Sequence, residues 1–373
     1  MTRVSFANSR SSPIVSVHEA LGADFFVWNQ MPVSKSYSKG VESEHKAIRK
    51  AAGLTDMSGI KKIWLKGSSV SEVIDFLITR DCNKIKPGVA TYAALLNENG
   101  YVIDDAIVFR LSSLESEKFD ASWLICFGAG FGVDYLTKSL DGTEVIARAD
   151  DDTACLMLQG PHAATVMKRI VRGPLPSNLG RFEHGLFSIL DSDVMIARTS
   201  YSGEDGFEIF VKSQHAIHVW NYLVSNGAVP VGFDVIDIAR IEAGLLFFGR
   251  DMTGFETPTE LGLDFIIDGS KKHFRGKTAW EKRSQMPRHK IVGLTIDGLS
   301  PLNEHSLLYA NGLPVGKITS HAVSAWLGKT IAIAQIKPEL AVNGNQICVF
   351  EDSCYSVESR KAIVCSRRFY SNL

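Results

Sequence analysis

Two adjacent aspartates lie in the middle of an apolar stretch, "GYVIDDAIVF". Its β-branched and aromatic residues predict a β-strand. Because successive side chains of a strand point to opposite faces, Asp104 and Asp105 cannot share one face. Asp105 shares the bulkier face with Ile103, Ile107 and Phe109. A buried carboxylate is costly unless it is hydrogen-bonded or paired, so Asp105 is a candidate either for acid–base chemistry or for a structural cap.

A second acid follows the turn "SGEDG". In the predicted strand "GFEIFV", Glu208 lies on the face opposite Phe207 and Ile209. An ionised carboxylate only accepts hydrogen bonds, and it is best matched by a planar group with two parallel N–H donors. Arginine is such a group, and so is the 2-amino-pyrimidinone edge of a pterin. Glu208 is therefore a candidate for binding one of these groups, or else an ordinary strand acid in solvent.

Several common active-site motifs are absent from the sequence. No G-x-G-x-x-G follows a strand, no glycine loop ends in G-K-[ST], and no G-x-S-x-G elbow occurs. The six cysteines are scattered without a C-x-x-C pair, which argues against a zinc site or a disulfide framework. We therefore expect no metal and no nucleotide-dependent or serine-hydrolase chemistry. We interpret the cysteines as small buried side chains in a reducing compartment.

The elements that position these acids follow an order that occurs twice. "KKIWLKG" predicts a strand, "SSVSEVIDFLIT" a helix and "ATYAALLNENGYVIDDAIVFRL" a hairpin, followed by the strand "SWLICFG" and another helix. A similar order returns from "ACLMLQG" through the hairpin "VMIARTSYSGEDGFEIFV" to the helix "SQHAIHVWNYLVSNG". It predicts two related α+β units. Upstream, "VESEHKAIRKAAGL" predicts a helix over residues 41 to 54, ended by Gly53.

The sequence changes character after "KKHFRGKTAWEKRSQMPRHK", residues 271 to 290, and its polar end, Ser284 to Lys290, predicts a linker. Residues 291 to 373 contain short strands and turn signals such as "ANGLP" and "VNGNQ", which predict a separate β-barrel. We therefore expect a catalytic region over residues 1–283, with both α+β units, and a C-terminal barrel domain over residues 291–373.

The composition is that of an ordinary globular protein large enough for two or three domains. The chain has 373 residues, of which 45% are hydrophobic and 22% charged, and its net charge is −1. This balance gives no electrostatic basis for binding nucleic acid or an anionic membrane. No apolar run is long enough to span a bilayer, and the first residues lack the apolar middle of a secretory signal. We expect a cytoplasmic protein that binds neither nucleic acid nor membrane.

A series of stretches in order resembles the aminomethyltransferase family, from about Leu21 to Tyr370. They include "GLTDMSG", "ATYAALLNENGYVIDDAIV", "LMLQGP", "YSGEDGFEI", "ARIEAGLLFFGRDM", "TPTELGL" and "LGKTIAIA". The family contains the T-protein of the glycine cleavage system and tetrahydrofolate-dependent demethylases. The resemblance implies three domains in a cloverleaf, two related α+β units and a β-barrel, around a central pocket. Tetrahydrofolate enters that pocket with its pterin deep inside.

The resemblance also implies roles for single residues. It assigns the family's essential aspartate to Asp105 and the pterin-binding glutamate to Glu208. Asp105 would orient or polarise folate N5 and manage the proton there, in surroundings of low dielectric constant. We interpret Asp104 as structural, bonded to nearby backbone. Further folate contacts are expected from Tyr92, Tyr201, Phe109, Phe127 and Ile60.

The sequence departs from the family pattern on the substrate side. "DMSGI" stands where T-proteins commonly show "DVSHM", and Ile236 replaces an arginine. Phe127 replaces an asparagine that meets folate, and a late arginine beyond "FY" is missing. We therefore predict a tetrahydrofolate-dependent one-carbon transferase that moves a methyl or aminomethyl-level carbon from a small methylated substrate to tetrahydrofolate.

Two alternatives stay open. One is a glycine-cleavage aminomethyltransferase that takes its carbon from a lipoylated carrier protein, and the other is a non-catalytic folate-binding protein. With Ile236 in place of a cation, the anionic glutamate tail of folate needs other partners. The sequence offers Lys271, Lys272, Arg275, Arg367 and Arg368.

Overall fold

The computed structural model of the protein describes residues 4–7, 9–303, 306–352 and 357–372. The chain begins with a segment made of α1 (Val15–Ala20), β1 (Asp24–Trp28), β2 (Met31–Ser36), α2 (Val41–Lys50) and β3 (Gly53–Asp56). β1 and β2 form an antiparallel hairpin. The helix predicted over residues 41–54 ends at Lys50, and Gly53 begins a strand instead. A Cβ at Gly53 would lie 2.6 Å from Ile48 Cγ1, so glycine lets β3 pack closely against the helix.

The first α+β unit contains a five-stranded antiparallel sheet in the order β5-β6-β7-β4-β8. The elements of this unit are β4 (Lys61–Lys66), α3 (Val70–Leu77), β5 (Val89–Leu96), β6 (Val102–Arg110), α4 (Ser113–Phe119), β7 (Trp123–Phe127), α5 (Gly132–Ser139) and β8 (Ile146–Asp150). α4 begins with a capping box, in which Ser112 and Glu115 each accept a hydrogen bond from the other's backbone N–H.

The second unit contains a seven-stranded sheet in the order β10-β11-β12-β13-β9-β3-β14. Its elements are β9 (Thr153–Gln159), α6 (Ala163–Ile170), β10 (Val171–Arg172), β11 (His184–Ile189), β12 (Ser192–Ala197), β13 (Gly206–Lys212), α7 (Ser213–Ser225), β14 (Val229–Pro230) and α8 (Phe233–Ala243). β3, from the segment before the first unit, pairs with β9 on one side and with β14 on the other. The second sheet therefore incorporates a strand that precedes the first unit in the chain.

The two sheets repeat one order, which confirms the prediction of two related units. In each sheet a meander of three antiparallel strands, β5-β6-β7 or β11-β12-β13, lies beside the first strand of the unit, β4 or β9. The sequence matched the hairpin β5-β6 to the hairpin β12-β13. In the structure both hairpins are parts of longer meanders, and the match is shifted by one strand. By sheet position, β6 with Asp105 corresponds to β12, and β13 with Glu208 corresponds to β7.

The C-terminal region is a closed barrel, as the sequence predicts. α9 (Lys277–Ser284) precedes it. The barrel strands are β15 (Lys290–Ile296), β16 (Leu307–Ala310), β17 (Leu313–Ser324), β18 (Lys329–Ile336), β19 (Gln346–Asp352) and β20 (Val357–Cys365). They are hydrogen-bonded in the order β15-β18-β17-β16-β19-β20, and β20 pairs back with β15.

The inner faces of the two α+β sheets pack against each other. Phe109 on β6 meets Phe210 on β13 edge to face, with ring centroids 5.6 Å apart. Both rings belong to one buried apolar cluster, called here the inter-sheet cluster. Asp105 precedes Phe109 by four residues and Glu208 precedes Phe210 by two, so each acid shares the face of its aromatic neighbour. Both acids therefore project into the space between the sheets.

In the part of the chain that the structure describes, there is no membrane-spanning helix and no metal site, and the cysteines are unpaired. Within it, no helix has the length and apolar character needed to cross a bilayer. No set of three or more His, Cys, Asp or Glu side chains within these residues is grouped as a metal site. The sixth cysteine, at position 354, lies outside the described residues. The described cysteines are free thiols: Cys82, Cys126, Cys155, Cys348 and Cys365.

Candidate active site

A bulge in β6 orients Asp105. The register of β6 against β5 shifts at Ile103, which is an extra residue on its strand. Ile103 consequently packs into the core of the first unit, whereas Ile107 and Phe109 pack into the inter-sheet cluster. The prediction that Ile103 shares a face with Asp105 is therefore wrong. Asp105, Ile107 and Phe109 do follow the predicted alternation.

The Asp105 carboxylate is bound by a tyrosine and closely approached by a glycine. Tyr92 Oη donates a hydrogen bond to Asp105 Oδ2 at 2.7 Å. A Cβ at Gly128 would lie 2.9 Å from Asp105 Oδ1, so glycine lets the loop pass this close. Burial raises the pKa of Asp105 to about 6, an effect that the Tyr92 hydrogen bond partly offsets. Burial and the Asp105 charge raise the pKa of Tyr92 far above its ordinary value, so Tyr92 remains a hydrogen-bond donor.

Asp104 lies on the opposite face of β6 and binds a glycine-rich loop, residues 128–132. Its carboxylate accepts hydrogen bonds from the backbone N–H groups of Gly130 (3.2 Å), Gly132 (2.9 Å) and Asp105 (2.9 Å). The prediction that Asp104 bonds nearby backbone is confirmed. Burial, together with the Asp105 charge, raises the pKa of Asp104, and the hydrogen bonds from the backbone N–H groups of Gly132, Asp105 and Gly130 lower it.

Glu208 faces the same space from β13. Thr199 Oγ1 donates to Glu208 Oε2 at 2.5 Å, and among the described residues no other hydrogen bond reaches this carboxylate. Burial raises the pKa of Glu208. Burial and then the Glu208 charge raise the pKa values of the Cys126 and Cys155 thiols, so both thiols lie near it and remain neutral.

Most of the predicted site residues face the space between the two sheets, called here the cavity. Asp105, Glu208, Tyr92 and Tyr201 each keep accessible surface. After burial, the Asp105 charge contributes to the raised pKa values of Tyr92 and Tyr201, so these three side chains lie close together. Ile60 is also partly accessible, and it packs against the same inter-sheet cluster as Tyr201.

Phe109 and Phe127 lie outside this cavity. Neither side chain has accessible surface. Phe109 packs against Phe210 and His184 in the contact that joins the two sheets. Phe127 belongs to the core of the first unit, where its ring lies against Gly132. The expectation that both rings contact a ligand is corrected accordingly: Phe109 supports the cavity wall from behind, and Phe127 supports the glycine-rich loop.

Unpaired buried polar atoms occur around the inter-sheet cluster. Among the described residues, Trp28 Nε1 and Thr55 Oγ1 have no hydrogen-bond partner. Trp28 is a member of the cluster, and Thr55 pairs on β3 with Met157, another member. Buried polar groups are normally hydrogen-bonded, so an unpaired one calls for a water or a ligand. Neither atom has appreciable accessible surface, so neither contacts a ligand in this structure.

The arrangement combines two kinds of acid on facing walls. Asp105 titrates near neutral pH, so it can take up or release a proton during a reaction. Glu208 can accept N–H donors from a bound ring. Tyr201 Oη donates to the Leu246 carbonyl at 2.5 Å, which fixes the ring beside the cavity. The site is therefore suited to proton transfer on a bound aromatic or heteroaromatic molecule.

Comparison with known proteins gives one consistent family. The model of the GCVT N-terminal domain matches residues 14–271, and the model of the glycine cleavage T-protein C-terminal barrel domain matches residues 289–370. The chain belongs to the glycine cleavage T-protein family.

T-protein relatives of this chain carry different names. A heme-dependent oxidative N-demethylase gamma subunit from Ectopseudomonas mendocina is 35% identical, and the match covers 91% of each chain. An aminomethyltransferase from Rubrobacter xylanophilus is 32% identical over 91% of this chain and 90% of its own. The crystal structure of glycine cleavage system aminomethyltransferase T from Bartonella henselae matches with a TM-score of 0.86 and 27% identity, over 97% of this chain and 98% of that one. The fold is thus shared with a T-protein, whereas the named activities of relatives diverge.

Two departures from common T-protein residues are closed to longer side chains. A Cβ at Gly59 would lie 2.7 Å from Trp28 Cε3, so a histidine does not fit there in this structure. Ile236 on α8 is 1% exposed and belongs to the inter-sheet cluster, where a cation would be desolvated. Neither position therefore offers room for a longer or charged side chain in this structure.

Arg367 is the basic candidate that the structure brings near the site. Its charge lowers the pKa of Tyr92, although burial dominates and keeps that pKa high. Its guanidinium donates to the carbonyl oxygens of Leu261 (2.5 Å) and Gly262 (3.2 Å). The other candidates bond elsewhere or lie in solvent: Lys271, Lys272, Arg275 and Arg368.

Sequence reasoning missed a clamp on the loop of residues 57–60. Lys62 is fully buried and donates to the carbonyl oxygens of Ser58 (2.9 Å) and Ile60 (3.2 Å). Arg10 donates to the carbonyl oxygens of Gly59 (2.9 Å) and Ile60 (3.2 Å). These bonds fix the backbone that presents Ile60 to the cavity. The available signal was a lysine inside the apolar strand "KKIWLKG".

The glycine-rich loop that binds Asp104 was missed as well. Its signal was "GAGFG", three glycines at alternate positions directly after a predicted strand. A Cβ at Gly130 would collide with the Ile103 carbonyl oxygen and lie 2.8 Å from Asp104 Cγ. The glycines are therefore needed because the loop wraps closely around both acids.

Proposed function

We propose that the chain is a tetrahydrofolate-dependent one-carbon transferase. It moves a methyl or aminomethyl-level carbon from a small methylated substrate to tetrahydrofolate. The observation that carries the proposal is the pair of acids that project into the space between the sheets, Asp105, bonded to Tyr92, from one sheet and Glu208 from the other.

Glu208 is the proposed anchor for the pterin. Its carboxylate, fixed through one oxygen by Thr199, would accept the two parallel N–H groups of the 2-amino-pyrimidinone edge. Tyr92, Tyr201 and Ile60 supply apolar walls for the ring.

Asp105 is the proposed acid–base residue. Nitrogen N5 of tetrahydrofolate must lose its proton when it gains a carbon, and a carboxylate within reach takes that proton. A pKa of about 6 leaves Asp105 mainly ionised at pH 7 yet basic enough to accept it. The same acid can then return the proton to the leaving group.

The donor side favours a small methylated substrate. Gly59 and the buried Ile236 remove groups that T-proteins commonly carry. The relative at 35% identity is named as a subunit of an oxidative N-demethylase. Methylated amines are therefore the first donors to test for this chain, and the protein would function in the cytoplasm.

A glycine-cleavage aminomethyltransferase is the second candidate, because relatives of 32% identity bear the name aminomethyltransferase and the Bartonella henselae T-protein shares the fold. Its donor would be an aminomethyl group on a lipoylated carrier protein, and its products methylenetetrahydrofolate and ammonia. A folate-binding protein without transfer activity is the third.

Carbon-13 NMR of the folate pool separates these candidates. The full chain is incubated with tetrahydrofolate and ¹³C-methyl amines, ethers or sulfonium compounds, and separately with an aminomethylated lipoyl carrier. We expect label on folate only from a small donor and only with protein present. Label and ammonia from the carrier alone would establish the second candidate. Tetrahydrofolate binding without transfer from any donor would support the third, and absence of binding would refute all three.

A further inference from the structure

We infer that Asp104 is a positioning residue that sets the proton affinity of Asp105, and that the glycine-rich loop keeps Asp104 ionised for this purpose. The inference rests on the proposed function, because Asp105 is the acid whose proton is controlled. It gives a chemical role to an acid that the sequence indicated as structural.

The hydrogen bonds of Asp104 favour its ionised form. Oδ1 accepts from the backbone N–H groups of Gly130 (3.2 Å) and Asp105 (2.9 Å), and Oδ2 accepts from Gly132 (2.9 Å). Both oxygens thus face N–H donors. A proton on either oxygen would place an O–H against an N–H and break one of these bonds. Three backbone donors therefore stabilise the carboxylate.

The surroundings of the loop act in the same direction. Gly132 is the first residue of α5, whose unpaired N-terminal N–H groups and dipole favour a negative charge beside them. Lys61 Nζ lies 3.5 Å from the Gly130 carbonyl oxygen, and attraction to Asp104 raises the pKa of Lys61 against the larger effect of burial. Asp104 is therefore a carboxylate held among positive groups.

Asp105 lacks comparable support. It receives one side-chain hydrogen bond, from Tyr92 Oη to Oδ2. The two acids are neighbours in the chain, so their charges repel across a short distance in a buried region. Their titration therefore belongs to the pair, and a single proton resides where fewer donors are lost. That location is Asp105, whose proton affinity the Asp104 charge raises toward neutral pH.

Other charged and titratable groups reach the pair from the elements packed around it. Tyr92 and Tyr201 contribute neutral hydroxyls. Arg240, near Tyr201, is paired with Asp251 at 2.5 Å. The groups are Lys61 on β4, Tyr92 on β5, Asp134 on α5 acting through Lys61, Tyr201 after β12, Arg240 on α8 with Asp251, and Arg367 acting through Tyr92. Cations near a carboxylate favour its ionised form, and the Asp104 charge acts in the opposite direction.

The test is an Asp104→Asn variant of the full chain. Removing the adjacent charge should shift the ¹³C NMR titration of the Asp105 carboxyl to lower pH by about one unit, a tenfold loss of proton affinity. The acid limb of the carbon-transfer rate should move by the same amount. The Asp105 signal is identified by its absence from Asp105→Asn. A titration that coincides with that of the parental protein, or moves upward, would overturn the inference.

Asp134→Asn is the matched control, because it removes an exposed carboxylate from the first turn of the same helix. It should leave the Asp105 titration in place, and a shift equal to that of Asp104→Asn would also overturn the inference.

If Asp104→Asn does not fold, Asp105→Asn serves instead. Coupling is reciprocal, so the Asp104 carboxyl should then titrate at lower pH, and an unchanged Asp104 titration refutes the idea. These titrations need no turnover, whereas absence of carbon transfer by the parental protein counts against the proposed function.

Discussion

The two α+β units share one sheet order but present different acids to the cavity. On the first sheet, Asp105 has an adjacent acid, a tyrosine donor and a glycine-rich loop around it. On the second sheet, Glu208 has one threonine donor and two neutral thiols nearby. The repeated sheet order thus provides a similar position for a carboxylate in each unit, and the groups around each carboxylate decide its chemistry.

This difference separates two tasks that a carboxylate can perform. Burial raises the pKa of both acids, but on the first sheet the neighbour Asp104 adds a second charge. The first wall is therefore suited to changing its protonation state. The second wall is suited to holding a constant charge that accepts N–H donors from a ligand.

The largest effect is expected when the first wall loses its charge. Asp105→Asn keeps the shape of the side chain and should cut single-turnover carbon transfer by a factor on the order of 10²–10⁴, the usual span for a positioned acid or base. Tetrahydrofolate affinity should change little, because the pterin anchor is on the other wall. Transfer at the parental rate would remove Asp105 from the chemistry.

Glu208→Gln should give the opposite pattern. An amide offers a donor where the pterin edge already donates, so tetrahydrofolate affinity should fall by roughly 1.5–3 kcal/mol, as for other hydrogen bonds to charged groups. Transfer at saturating folate should fall far less than in Asp105→Asn. Calorimetry measures the affinity. If this variant instead binds normally and turns over slowly, the division of tasks between the walls is wrong.

Tyr92→Phe probes the first wall without removing its acid. The Tyr92 hydrogen bond lowers the pKa of Asp105, so its loss should raise that pKa and move the acid limb of the rate profile to higher pH. Loss of one hydrogen bond is worth about 1–2 kcal/mol, so the rate at pH 7 should fall about tenfold. A rate–pH profile unchanged from the parental protein would show that this contact has no part in the chemistry.

The smallest effect concerns stability. Burial raises the pKa of Asp105 in the folded chain to about 6, above the ordinary aspartate value. Such a group favours folding below about pH 4, and this contribution is lost as the pH rises through about 6. The melting temperature of Asp105→Asn, relative to that of the parental protein, should therefore be a few degrees higher at pH 8 than it is at pH 4. The gain in melting temperature of Glu208→Gln should be smaller. A difference between variant and parental protein that does not depend on pH would contradict this link between the Asp105 pKa and stability.

Much of the fold was predictable because its signals are local. Strand alternation assigned Asp104 and Asp105 to opposite faces, and turn residues marked the hairpins and the barrel. The strand Gly53–Asp56 was not predictable, because its partner β9 is distant in the chain. The Ile103 bulge lies beside a similar distant contact, since the Val102 N–H donates to the Glu256 carbonyl oxygen at 2.8 Å.

The candidate site was predictable in position more than in orientation. In the structure Asp105, Glu208, Tyr92, Tyr201 and Ile60 each keep accessible surface, and their contacts with a ligand stay predictions. A family resemblance transfers only sequence positions. It could not show that Phe127 packs into the opposite core, because that follows from the face of β7 to which its side chain belongs. The clamp by Arg10 also depends on a tertiary contact without a sequence pattern.

The position of β3 has a consequence for synthesis on the ribosome. β3 emerges before the first unit, and its partner β9 emerges only after it. At about 5–20 residues per second, the roughly hundred intervening residues take on the order of 5–20 seconds. During that time Leu54, which is fully buried in the finished protein, has neither neighbour strand available. The nascent chain therefore carries an unpaired apolar strand until the first unit has been translated, and aggregation or chaperone binding is most probable in that interval.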